Sequence, residues 1–515
     1  MSLLPFVLVT SVGAVLALLL RRNDRVAVTI AIISLIGAVV TALAIRPGQS
    51  VVVGGAGIAT TEYLRLFLLL GASVGLLLAV VGQAAGSHRD APAITLGVLA
   101  TSAFALSLPD ARLAVLAATA GGGFGALVTL VPVAGRSGAT VGTRVLRATV
   151  VAGTMAVAAT AWIGRDLTDL AAQPVVFGLA YLAFALAVAV RFGAIPAHGW
   201  AARLTDTVPE STLPLVTAWA PAAFAVVALA WADASIAPLL VDLDSVRLIV
   251  VLIAVASIVL ASVAAFIQDD LEHIVGYAII GDAGVVLLAI AALDPAAWAP
   301  ARTWILAFVV ARSAFAAWAA ATRSTFMTGK VADLRGWAIR SPFLGVVLAV
   351  IVLASVGLPG LAAFDARGSI VALAIDGPLA ALVVLGTLSP LAYYGRLLLL
   401  GVTRPAGRPA QGPSGRFGWR LALAPLDLTD VRGWLDRTWS DNVLATATGG
   451  AALLAILALA VSAGAFGAPA AAAGLPPSIE VRRESFAPED PEAPLESDAP
   501  SALPVDGEPS PTPGP

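Results

Sequence analysis

The run Trp304-Ile-Leu-Ala-Phe-Val-Val-Ala-Arg312-Ser-Ala-Phe315 puts a guanidinium in the middle of an otherwise apolar segment. Arginine effectively never sheds its proton, so this charge has to reach a polar surface or meet an internal partner. From mid-run the surface is difficult to reach. The segment is one of a series, because apolar runs of about 20 residues, each able to cross roughly 30 Å of hydrocarbon, recur along most of the chain. Of 515 residues 59% are hydrophobic and 12% charged, where a soluble domain carries about 25% charged residues. That excludes an enzyme with a solvated surface and reads as an all-α polytopic membrane protein.

Working outward from Arg312, breaks at charged or Pro/Gly-rich positions divide the chain into about fourteen transmembrane helices. They group as 1–90, N-terminal helices; 91–232, a first half; and 246–401, a second half. A cytoplasmic loop with a candidate interfacial helix follows at 402–440, then a last span at 441–467. From 475 to 515 the chain turns Pro-rich and acidic, which predicts disorder. The stretch 369–401 is too long for one span, and Asp376-Gly377-Pro378 predicts a single break within it. Loops after odd-numbered spans collect Arg21, Arg22, Arg25, Arg89, Arg136, Arg203, Arg323, Lys330, Arg335 and Arg340. By the positive-inside rule those loops are cytoplasmic and both termini lie outside, in a multi-pass protein of the cell membrane.

Composition narrows the chemistry further. Cysteine is absent and the three histidines, His88, His198 and His273, are scattered, so no metal site or iron–sulfur ligation is expected. A net charge of −2 with no basic tract excludes nucleic acid as a partner. Lys330 is the only lysine among 30 basic residues.

Charge inside the spans is costly and needs a reason. Arg191, Asp282, Arg312, Asp365 and Arg367 all fall within apolar runs. Asp282, in the span before Arg312, is its predicted partner, as an ion bridge or as part of a polar relay. Asp365 and Arg367 follow Gly357 and Pro359, and Arg191 precedes Pro196. A helix broken at membrane depth frees backbone groups, which is tolerated only around a polar interior. A break beside a buried basic residue, once in each half, points to an internal repeat, and the fold expected is two inverted repeats with broken helices. Asp269, Asp270, Glu272 and His273 cluster at one span end, either as a solvated helix end or as part of the same route.

Three segments resemble those of the antiporter-like membrane subunits of respiratory complex I and of multisubunit cation/proton antiporters. They are Arg191-Phe-Gly-Ala-Ile-Pro196-Ala-His198-Gly-Trp200, Gln268-Asp-Asp270-Leu-Glu272-His273-Ile-Val-Gly276-Tyr277, and Ser355-Val-Gly357-Leu-Pro359-Gly-Leu-Ala-Ala-Phe364-Asp-Ala-Arg367. Tyr393-Tyr394-Gly-Arg396 falls where that family often has Tyr-Tyr-x-Arg, and the Gly-Tyr and Gly-Leu-Pro forms look most like the N-type subunit. The resemblance implies proton translocation in a membrane arm beside other membrane-arm subunits. It implies no cofactor in this chain, with NADH and quinone handled by partner subunits. By position Arg191 and Arg367 stand for the lysines of the two broken-helix regions, and Glu272 occupies a lysine position. The glutamate of span five and a central lysine have no counterpart, falling within 114–123 and at Pro221-Ala222.

Lysine can pass a proton when burial lowers its pKa, whereas arginine cannot. The candidate path residues are therefore Arg191, His198, Glu272, Asp282, Arg312, Asp365 and Arg367, with Pro196, Gly357 and Pro359 as helix breaks. Two versions stay open, an active ion path and a degenerate subunit kept for assembly. The alternative class is a stand-alone or two-component cation/proton antiporter.

Overall fold

The computed structural model describes residues 2–53, 56–84, 90–130, 138–162, 174–235, 243–357, 359, 361–375, 377–403 and a few positions between 449 and 456. The candidate interfacial helix, most of the last span and the acidic tail lie outside the described residues. Among those described, 10 helices are long and apolar enough to cross a membrane. Three shorter apolar helices, Leu4–Leu19, Ala91–Ser107 and Pro342–Val356, accompany them.

The N-terminal part holds α1 (Leu4–Leu19), α2 (Asp24–Ala44), α3 (Glu62–Ala84), α4 (Ala91–Ser107), α5 (Ala111–Ala126), α6 (Gly138–Trp162) and α7 (Pro174–Phe192). Asp110 starts α5 by accepting the Arg112 and Leu113 amides, as an N-cap carboxylate does. A short α8 (Gly199–Leu204) leads through a π-helical turn, Leu215–Trp219, into α9 (Ala220–Ser235). Next come α10 (Asp244–Ile267), α11 (Leu271–Ala292) and α12 (Trp298–Phe326). After α13 (Trp337–Arg340) the chain forms α14 (Pro342–Val356), α15 (Ala362–Ala374), α16 (Pro378–Gly386) and α17 (Pro390–Val402). One antiparallel hairpin, Ser50–Val53 with Ala56–Ala59, departs from the all-α expectation. Its signal is a Val-Val-Val run closed by Gly54-Gly55, a hairpin pattern that a search for long apolar runs passes over.

Both expected helix breaks are present. The first ends at Phe192, and Gly193 follows at φ 65°. The second ends at Val356, where Gly357 takes φ 72° before Pro359. Glycine adopts that backbone without steric cost, and proline has no N–H to extend a helix. The 369–401 stretch carries one break more than predicted. Besides the Gly377 turn, the helix stops again after Gly386 and restarts at Pro390.

Burial separates the layers. In the most apolar eighteen residues of each span, every position is buried in Pro295–Phe326 and in Glu210–Ala232 and 89% of positions in Leu271–Ala292, whereas only 28% are buried in Asp24–Ala44. So α9, α11 and α12 form the centre, and α2 turns most of its apolar surface outward. Hydrophobic exclusion does not hold helices together in lipid; close backbone approach does. Gly284 illustrates it, since a Cβ there would lie 2.7 Å from the Ala254 carbonyl oxygen of α10. Gly284→Val is expected to force α10 and α11 apart and destabilise the protein by about 1–3 kcal/mol. Denaturant titration of the purified variant checks this.

Candidate functional site

The site is assembled at the centre by α11 and α12. Arg312 Nε donates to Asp282 Oδ2 at 2.6 Å, pairing the charge at the heart of α12 with the acid at the heart of α11. Arg312 is 0% exposed and Asp282 5%. Arg312 Nη1 donates to the Tyr394 hydroxyl at 2.6 Å, and Tyr394 donates to Ser355 Oγ at 3.0 Å. A continuous polar line therefore runs from α11 through α12 to α17 and reaches α14 one residue before its broken end. Taking two charges out of water is repaid only by close geometry and further hydrogen bonds, and this pair has both.

Arg367 enters the same region from α15. Its Nη2 donates to the Val356 carbonyl and its Nη1 to the Thr387 carbonyl at 3.4 Å. Val356 is the last residue of α14, and Thr387 is the C-cap of α16. Carbonyls at a helix C-terminus lack intrahelical partners and carry the negative end of the dipole. One planar guanidinium thus answers two broken ends at once, which a point-like ammonium does less well. The ring of Trp304 lies 5.2 Å from the guanidinium carbon and that of Phe364 5.6 Å, so the charge is also cushioned by π faces.

Asp365 does not join this group. It stands on the exposed face of α15, because two residues along a helix turn a side chain by about 200°. With Arg367 facing inward, Asp365 faces outward from the bundle of described helices. Pro359 also lies exposed at the break, and Gly357 is buried there.

The remaining candidates lie apart. Arg191, in the last turn of α7, is 0% exposed and donates through Nη1 to Thr149 Oγ1 at 3.1 Å. Its Nε and Nη2 have no hydrogen-bond partner among the described residues. His198 is half-buried beyond the first break, near the exposed Pro196, and its Nδ1 likewise has no partner among the described residues. Glu272 belongs to a cluster at the arginine-rich end of the bundle. There Arg323 Nη1 reaches both Glu272 Oε2 and Glu210 Oε1 at 3.2 Å. His273 Nε2 meets Asp206 Oδ1 at 3.1 Å, and Arg203 lies 3.5 Å from the same carboxylate.

Glu210 is a functional candidate that the sequence reading missed. It is 2% exposed, in a single 3-10 turn, Glu210–Thr212. Its only sequence signal is an acid at the start of an apolar run after Pro209. With it, α11 and α12 are tied by two carboxylate–guanidinium rungs, Asp282–Arg312 and Glu272–Arg323. The rungs are about 15 Å apart by helical rise along α11.

Residues 152–391 match the family described as "NADH:quinone oxidoreductase/Mrp antiporter, TM". The NADH-quinone oxidoreductase subunit N 1 of Streptomyces griseus is 30% identical over 282 residues, covering 53% of this chain and 56% of that protein. Such alignments span about half the length of the curated relatives or less. The fold extends further than the sequence likeness. A chain of respiratory complex I from Thermus thermophilus with bound NADH superposes with a TM-score of 0.67 at 20% identity, covering 94% of this chain and all of that one. A chain of the Mrp complex from a Dietzia species gives 0.62 at 18% identity, covering 93% and 99%. Both broken-helix motifs fall within residues 152–391, the stretch that is similar to the transmembrane region described for NADH:quinone oxidoreductase and Mrp antiporter proteins.

Proposed function

We propose that the chain is an antiporter-like membrane-arm subunit of a complex I-like NADH:quinone oxidoreductase and contributes proton translocation coupled to quinone reduction. It works beside other membrane-arm subunits in the cell membrane, with both termini outside. NADH and quinone are handled by partner subunits, and this chain binds no cofactor. The observation that carries the reading is the buried Asp282–Arg312 pair, continued through Tyr394 to Ser355 at the broken end of α14. An acid that changes partners can move a proton, while the two fixed arginines bias its charge from either side. Glu272, Glu210 and His273 form the titratable group at the arginine-rich end, one rung from the centre.

Asp282→Asn removes the one titratable group of the central pair and keeps its shape. In the assembled complex, reconstituted into liposomes, this variant is expected to reduce protons moved per electron. NADH oxidation by an uncoupled complex should continue. An unchanged proton-to-electron ratio would favour the assembly-only version of the subunit. Transport by the purified chain without companions would favour the stand-alone antiporter instead.

A further inference from the structure

We propose that an anionic phospholipid, from the leaflet at the arginine-rich end, binds along α14 with its phosphate on Arg335 and Arg340 and one acyl chain on the outward face of the helix. This does not rest on the proton-path reading. It rests on two unpaired cations set directly above an apolar stripe.

Arg335 and Arg340 are both exposed, and among the described residues neither has an ion pair. Asp333, the acid nearest to them in sequence, is met by the Thr328 hydroxyl instead. Gly336 takes φ 73° and turns the segment back on itself, a backbone that glycine adopts without steric cost. The turn sets Arg340 against the backbone of Arg335, to whose carbonyl its Nη2 donates at 3.0 Å. The Phe326 ring, 4.7 Å from the guanidinium carbon, supports the same side chain from beneath. Arg340 is thus held in place, and among the described residues its Nη1 meets no acceptor. A planar guanidinium fork suits a phosphate, which it can bind through two parallel hydrogen bonds.

The acyl chain has a surface of matching length. α14 starts at Pro342, two residues after Arg340. Its outward positions, Phe343, Val346, Ala349 and Leu353, are exposed and recur every three or four residues, whereas Leu344, Leu348 and Ile351 are at most 1% exposed. From Phe343 to Leu353 the helix rises about 15 Å, the depth of one leaflet in a hydrocarbon core of roughly 30 Å. Charge then selects the headgroup. A zwitterionic lipid brings its own ammonium towards two guanidinium groups, and an anionic one does not.

The test uses the full chain in nanodiscs, either of phosphatidylcholine alone or of equal parts phosphatidylcholine and phosphatidylglycerol. The mixed discs are expected to raise the melting temperature by several degrees, since a ligand that binds only the native state stabilises it by mass action. Inorganic phosphate added to the phosphatidylcholine discs should not substitute. Arg335→Gln with Arg340→Gln should abolish the shift, while Arg21→Gln with Arg22→Gln, a remote exposed pair, should keep it. Phosphatidylglycerol with a photoreactive acyl chain is expected to label α14 between Phe343 and Leu353, and to lose that label in the Arg335/Arg340 variant. Should the double variant not fold, Arg335→Gln alone is expected to halve the shift. Equal melting in the two discs overturns the proposal. So does a full shift in a folded Arg335/Arg340 variant, or label recovered only on other helices.

Discussion

Arg312→Met is expected to destabilise the folded protein by about 3–5 kcal/mol, the cost of leaving one member of a buried ion pair without the other. The carboxylate of Asp282 is 5% exposed and would be left without its 2.6 Å guanidinium partner. Tyr394 would lose its Arg312 donor in the same step. Adding Asp282→Asn to the same chain removes the stranded acid, so the double variant should recover most of the loss. Urea or SDS titrations of the two variants and the native protein measure the cycle. The double variant also separates a brace from a path. If the pair only braces α11 against α12, the folded double variant pumps at the native ratio. If the pair carries ions, the double variant is stable and uncoupled. Recovery of neither stability nor coupling would mean that Asp282 acts chiefly on a partner other than Arg312.

What sequence could supply here follows from which signals are local. The spans were legible because each is a continuous apolar run, and Gly357 and Pro359 announced their break by residue type alone. The Asp282–Arg312 pair was legible too, since two charges in consecutive spans at membrane depth have few other partners. Asp365 and Arg367 are neighbours in sequence, yet the helical period sets them on opposite faces of α15. Tyr394 and Ser355 enter the site from elements 82 and 39 residues away from their partners. No pattern within a span encodes such a meeting. Glu210 looked like an ordinary residue at a span boundary, and only the packing of α3, α11 and α12 against its turn buries it.

Arg367 shows what a planar guanidinium can do at a helix break that an ammonium cannot. Its two donors hold the Val356 and Thr387 carbonyls, so Arg367→Met should free both helix ends inside the protein. Charge-assisted hydrogen bonds contribute about 1.5–3 kcal/mol each, and the longer 3.4 Å contact to Thr387 lies at the weak end. The expected loss is therefore about 2–4 kcal/mol, together with loss of proton translocation in the assembled complex. Arg367→Lys is the sharper variant. It keeps the positive charge but replaces the fork by one ammonium, which can hold only one of the two ends well. Stability should fall by roughly half as much as in the methionine variant. If Arg367 serves as a fixed charge that biases Asp282, the lysine variant keeps most of the native proton-to-electron ratio. A lysine variant as uncoupled as the methionine one would instead show that the geometry of the two-ended clasp, and not the charge, is what translocation requires.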